Sequence, residues 1–232
     1  MQPLAQLHLS EELTQLLQSV HHIRKISKGT FLYQEGQDAE ELYIIQSGKV
    51  QISKMTSEGQ ELTLRMCSAG EMIGELTMFY SSSKYMLSAK VVESGEVAVI
   101  YINELEKRLE LDNGLAIEFM KWLSHQNRKT ITKFRDLILN GKKGALYSTL
   151  IRLTNSYGKI TSSGIMIDLS ITNQELANFC GTSREVVNRM LSELRKNQVI
   201  SVDKGIITIH DLNYLKTEIN CENCPIDICN IH

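Results

Sequence analysis

The chain has 232 residues, and nowhere in it does an apolar run approach the length of a membrane span. Its opening stretch, MQPLAQLHLSEELTQLL, lacks both a basic start and a small-residue cleavage site, so export is not expected. Five cysteines without a secretory signal fit a reducing cytoplasm better than a disulfide framework. Net charge is also scarce, at −2, which by itself speaks weakly against a nucleic-acid partner. The charge is unevenly spread, however. Asn140 to Tyr214 carries nine Lys/Arg against six Asp/Glu, net +3, while residues 1–139 come to −3 and the last 18 to −2. A mildly basic module joined to an acidic one suits a DNA reader with a separate sensing part. No strand–helix alternation surrounds Cys221-x-x-Cys224, so a thioredoxin-like site is unsupported. No other catalytic constellation stands out, and an enzyme is not expected.

Hydrophobic and charged contents of 42% and 22% are those of an ordinary globular protein, with room for two modest domains. From about Ile23 to Glu110 the pattern is of short strands: Leu42–Ile45, Val50–Ile52, Leu62–Leu64 and Val97–Ile100. Gly29, Gly36, Gly48, Gly59, Gly70, Gly74 and Gly95 punctuate them like turns in an antiparallel β-roll. After residue 112 the period changes. Met120, Leu123, Asn127, Ile131, Phe134 and Ile138 recur at threes and fours, as in a coiled-coil seam, until Asn140-Gly141 stops the helix. Such a helix is about 40 Å long and cannot bury its stripe on a small roll, which favours a twofold homodimer.

Beyond it, Lys142–Asn155 reads as a helix and Lys159–Thr161 with Ile165–Leu169 as a strand pair. Thr172 with Glu175, and Thr182 with Glu185, form two S/T-x-x-E patterns, each announcing a helix start, with Gly181 between them. Val199–Val202 and Gly205–Ile209 complete a winged helix-turn-helix. The second helix presents Arg184, Glu185, Asn188 and Arg189 opposite its apolar face. Arginine can fork onto guanine and glutamate can accept from cytosine, while Thr182 and Ser183 would hold phosphates. The expected architecture is therefore α+β. It comprises an N-terminal helix and β-roll over 1–112, a dimer helix over 113–139, a DNA-binding domain over 140–214 and a cysteine-rich tail over 215–232.

That tail holds Cys221, Cys224 and Cys229 in a C-x2-C-x4-C spacing, too short to build its own core. Thiolates so clustered suit a soft metal or an iron–sulfur cluster, which would give the tail its order. Cys67 and Cys180 look committed to packing. A cubane needs a fourth ligand, and His210 and His232 are candidates.

The β-roll, the long helix and the winged helix-turn-helix, with Gly74-Glu75-Leu76 and Ser183-Arg-Glu-x-x-x-Arg189, resemble the CRP/FNR family of bacterial transcription regulators. The resemblance implies a homodimer on a palindromic, TGTGA-like site, with Glu185 and Arg189 reading a G·C pair, Asn188 tuning the outer bases, and RNA polymerase as a partner. Cyclic-nucleotide binders of the family carry an Arg-Ser or Arg-Thr pair where this chain has Ser83-Lys84-Tyr85-Met86-Leu87-Ser88, so no cyclic nucleotide is expected. The tail cysteines and the block Phe134–Tyr147 resemble the Bacillus-type FNR subgroup. There the resemblance implies one [4Fe–4S] cluster per subunit on Cys221, Cys224, Cys229 and the dimer-helix Asp136. It further implies oxygen-responsive regulation, mainly activation, of anaerobic genes in the cytoplasm. Two alternatives stay open: a structural zinc in the tail with an unidentified effector, and Asp136 as a surface carboxylate paired with Lys129 or Lys133.

Overall fold

The computed structural model describes residues 21–74 and 84–232. The expected N-terminal helix, and Glu75, Leu76 and Ser83 of the motifs above, lie outside the described residues. The chain divides into two compact units.

The first unit is the β-roll. Its strands are β1 (His21–Ile26), β2 (Phe31–Tyr33), β3 (Glu41–Met55), β4 (Glu61–Cys67), β5 (Met72–Ile73) and β6 (Ser88–Tyr101). They form an antiparallel sheet ordered β1-β6-β3-β4, with β2 also on β6 and β5 on β3. The two strand segments expected at Leu42–Ile45 and Val50–Ile52 are one strand, β3. Gly48 sits inside it where the register against β6 shifts repeatedly, so it marks a bulge and not a turn. Alternate residues of β3 and β6 face a core of Ile45, Val50, Ile52, Val91, Val97 and Val99, into which Tyr33 and Tyr85 stack with ring centroids 4.0 Å apart. The opposite face, with Leu42, Ile44, Ala98 and Ile100, is covered by α1 (Ile102–Leu111) and by Leu115 and Phe119 at the start of α2.

Helix α2 is assigned over Asn113–Tyr157 but is broken at Gly141, whose φ of 56° and ψ of −146° are not helical. The expected stop at Asn140-Gly141 is thus a sharp break between two helical segments. Gly144 follows one turn later, and a side chain there would stand 2.4 Å from the Asp136 carbonyl oxygen. The two segments can approach so closely only with a hydrogen in that place. Met120, Ile131, Phe134 and Ile138 of the expected seam are 56–64% exposed in the single chain.

The second unit is built on the segment after the break. Leu146, Leu150, Ile151 and Leu153 of that segment pack with Ile167, Leu176, Val187, Leu191, Leu194 and Ile207. Strands β7 (Gly158–Thr161), β8 (Gly164–Ile167), β9 (Ile200–Asp203) and β10 (Ile206–Ile209) form an antiparallel sheet ordered β7-β8-β10-β9. Helices α3 (Asn173–Phe179) and α4 (Arg184–Lys196) are the helix-turn-helix. A further helix, α5 (Leu212–Glu218), straddles the boundary expected at residue 214, because Asp211 caps it through the Tyr214 amide and Leu215 is fully buried.

Candidate functional site

The first pattern, Thr172 with Glu175, forms a complete capping box. The second does not form. The N-cap position of helix α4 is Ser183, one residue later than expected and without a side-chain cap bond, and the Thr182 hydroxyl is buried with no partner among the described residues. In this arrangement the Thr182 hydroxyl is withdrawn from solvent. Ser183, Arg184, Glu185 and Arg189 are exposed along the opening of α4, while Val187, Leu191 and Leu194 are buried beneath. The Glu185 carboxyl is held below its usual range by its own backbone N–H and the Ser183 hydroxyl, so it is an anion ready to accept. Asn188 is half-buried, and its side-chain oxygen accepts from Asn173 of α3. Asn173 was not foreseen; it braces one helix of the reading head against the other.

In the roll, Lys84 donates to the Gly36 carbonyl at 3.1 Å and to Asp38 at 3.2 Å. That point charge already has partners. His210 lies in the wing region with Nε2 2.9 Å from the Ser201 hydroxyl. His232 belongs with the roll, its Nδ1 3.1 Å from the Met66 carbonyl oxygen. Neither histidine has another candidate cluster ligand among these partners.

Contacts within the protein hold much of the tail. Three side chains on one face of the post-break helix hold its backbone. Arg152 donates to the Ile228 carbonyl at 3.2 Å, Asn155 to the Cys229 carbonyl at 2.6 Å, and the Ser156 hydroxyl accepts from the Ile231 amide at 3.1 Å. Ile219, Ile228, Cys229 and Ile231 are buried. Residues 155 and 156, three and four positions after Arg152 on the same helical face, thus meet the tail at 229 and 231 as Arg152 meets it at 228.

Asp136 is buried as well, only 7% exposed, and so is not a surface carboxylate. One oxygen accepts from Arg135 Nε and Nη2 at 3.2 and 2.9 Å, and the other from Arg152 Nη2 at 3.1 Å. Arg135 reaches on to the Cys224 sulfur at 3.9 Å and to Glu222. Burial pushes the Cys229 thiol up, partly opposed by Arg152, and Cys221, Cys224 and Asp136 add to the rise. Cys67 and Cys180 are both buried, and burial pushes the Cys180 thiol up to about 12.

This donor set fits an iron–sulfur cluster in kind. A cluster on three thiolates and a carboxylate would carry net negative charge, and the two guanidiniums on Asp136 would help to offset it. Arg135, between the carboxylate and the Cys224 sulfur, would have to turn aside. Among the described residues no three of these donors close into the shell of a single metal ion. Arg135, Arg152, Asn155 and Ser156 were missed from the sequence. An arginine inside the apolar run Leu146–Leu153 was the available signal, since a buried cation requires an acid.

Two family models match the chain, a cyclic nucleotide-binding domain over residues 23–112 and a Crp-like helix-turn-helix domain over 144–218. The "Anaerobic regulatory protein" of Bacillus subtilis (strain 168) is 57% identical over 96% of this chain and 94% of its own. This chain belongs to the Crp/FNR family. Its family members are DNA-binding transcription regulators and not enzymes, and so is it. The "Lactate racemization regulatory protein" of Lactiplantibacillus plantarum is 30% identical over 86% of this chain and 92% of its own. Among solved structures, the c-di-GMP responsive regulator CLP of Xanthomonas campestris superposes with a TM-score of 0.75 at 23% identity, over 86% of this chain and 99% of that one. A CooA variant from Carboxydothermus hydrogenoformans superposes at 0.77 and 20%, over 93% and 97%. At those identities the two structures attest the fold alone.

Proposed function

We propose that this Crp/FNR regulator senses oxygen through a [4Fe–4S] cluster, one per subunit, on Cys221, Cys224, Cys229 and Asp136. As a homodimer it reads a palindromic, TGTGA-like DNA site with Arg184, Glu185, Asn188 and Arg189, and recruits RNA polymerase mainly to activate anaerobic genes. The observation that carries the reading is that two arginines tie the buried Asp136 carboxylate to the tail, Arg135 through the Cys224 sulfur and Arg152 through the Ile228 carbonyl beside Cys229. The name of the Bacillus subtilis relative supports the anaerobic role. The cluster supplies an oxidisable group; this chain's part is to hold it against the end of the pre-break helix. Asp136 and the Cys221–Cys224 loop would be held differently with and without it, and the bias on the reading head would change with them. No cyclic nucleotide is part of this scheme, because Lys84 is engaged by Asp38 and offers no fork.

The deciding experiment is a visible spectrum of protein purified without oxygen, with iron, acid-labile sulfide and zinc assayed on the same sample. Brown protein with equal iron and sulfide that bleaches in air is the expected result. Colourless protein with stoichiometric zinc would sink the cluster and make the tail a structural clip.

A further inference from the structure

Arg152 is only 2% exposed, on the helical segment after the Gly141 break, surrounded in sequence by Leu150, Ile151 and Leu153. A cation placed there must be compensated. Its Nη2 donates to Asp136 Oδ2 at 3.1 Å and to the Thr132 hydroxyl at 3.2 Å, both before the break. Its Nη1 donates to the Ile228 carbonyl at 3.2 Å, the residue next to Cys229. One side chain therefore joins the pre-break helix, the post-break helix and the tail.

The two arginines on Asp136 are not equivalent. Arg135 is its sequence neighbour, is 23% exposed, and divides its bonds among Asp136, Glu222 and the Cys224 sulfur. Arg152 is pinned on three sides and holds Oδ2 alone. Arg135 can leave to solvent; Arg152 cannot. We propose that Arg152 is the positioning residue for Asp136. It fixes Oδ2 and the tail backbone beside Cys229, and so presents Oδ1 to the cluster when Arg135 turns away. This rests on the cluster reading above. Lysine at 152 keeps the charge but cannot serve carboxylate, hydroxyl and carbonyl from one planar fork.

The test uses the full chain, reconstituted anaerobically with ferrous iron and sulfide. Iron per protein and the bleaching half-life in air are measured for Arg152→Gln and Arg152→Lys, in the natural background and with Asp136→Cys. Outer ligand partners commonly change such properties by about 10–100-fold. In the natural background Arg152→Gln is expected to shorten the half-life about ten-fold, and Arg152→Lys by an intermediate factor. With Asp136→Cys each loss should be clearly smaller, because no carboxylate remains to be positioned and only the hold on the Ile228 carbonyl is left. An equal loss in both backgrounds would mean packing alone and overturns the proposal, as does a natural half-life in Arg152→Gln. Arg152→Lys keeps the buried charge and guards against a folding defect. Should the Asp136→Cys background take up no iron, a natural half-life in Arg152→Lys overturns the proposal and a shortened one supports it. Unsubstituted protein that takes up no iron and sulfide overturns the cluster reading itself, whatever the variants do.

Discussion

At the scale of single residues, burial sorts the five cysteines. Cys67 and Cys180 are 0% and 3% exposed, Cys229 is 9% exposed, and Cys221 and Cys224 are only half-buried. A thiol reacts as thiolate, so burial suppresses both access and ionisation. Cluster-free, folded protein at pH 8 should therefore show two fast thiols, Cys221 and Cys224, against an aromatic disulfide reagent. Cys229 should react slowly, and Cys67 and Cys180 only on unfolding. Peptide mapping of the modified thiols checks the order, and early labelling of Cys180 would contradict the packing described. The same scale governs base reading. Arg189 is exposed on α4 while Asn188 is tied to Asn173. Arg189→Ala should weaken binding to a G·C-containing half-site by about 1–3 kcal/mol, roughly 5–150-fold, and relax preference at that base pair. Gel-shift titrations on matched and substituted sites give the answer; a loss that is equal on all sequences would make Arg189 a phosphate contact.

At the scale of elements, the Gly141 break decides which residues can meet. A side chain built there touches nothing within 4 Å, so the cost of Gly141→Ala is backbone strain and not a clash. With φ at 56° and ψ at −146°, that strain is about 1–3 kcal/mol. Thermal unfolding of the cluster-free protein should fall by several degrees, about 2–4 °C per kcal/mol at this size. An unchanged melting curve would mean that the helix can straighten without loss. The break also explains what was legible beforehand. Helix and strand periods are local, so the apolar stripe, the helix-turn-helix and the Asn140-Gly141 stop could all be read along the chain. The Asp136–Arg152 pair could not, because it joins residues on either side of a break whose geometry no periodicity encodes. The same holds for β3, where Gly48 looked like a turn; only the partner strand β6 makes it a bulge. The second S/T-x-x-E pattern misled for a related reason. The Thr182 hydroxyl is buried without a partner among the described residues, and the helix begins one residue later, at Ser183.

At the scale of the whole molecule, the open question is what covers the stripe on α2. Met120, Ile131, Phe134 and Ile138 are each more than half exposed, which is costly for a single chain in water and natural for a seam between two copies. Ile131 tests this well, since its exposure means that a charge there should leave the isolated chain folded. In a dimer the same charge meets its symmetry mate across the seam and must be desolvated. Ile131→Glu should therefore sediment as a monomer where the unaltered chain is a dimer. Losing one reading head per complex removes the second, effectively intramolecular contact, so affinity for a palindrome should fall by about 10²–10⁴-fold. Affinity for a single half-site should stay nearly unchanged. The dependence of log affinity on log salt should also drop to about half its slope, because half the phosphate contacts are gone. That slope separates the two explanations of a weaker complex. A monomer with an intact reading head halves it; a damaged head in a surviving dimer lowers affinity while the oligomeric state stays at two. If Ile131→Glu remains a dimer with full affinity, the seam lies elsewhere on the helix and the stripe has another role.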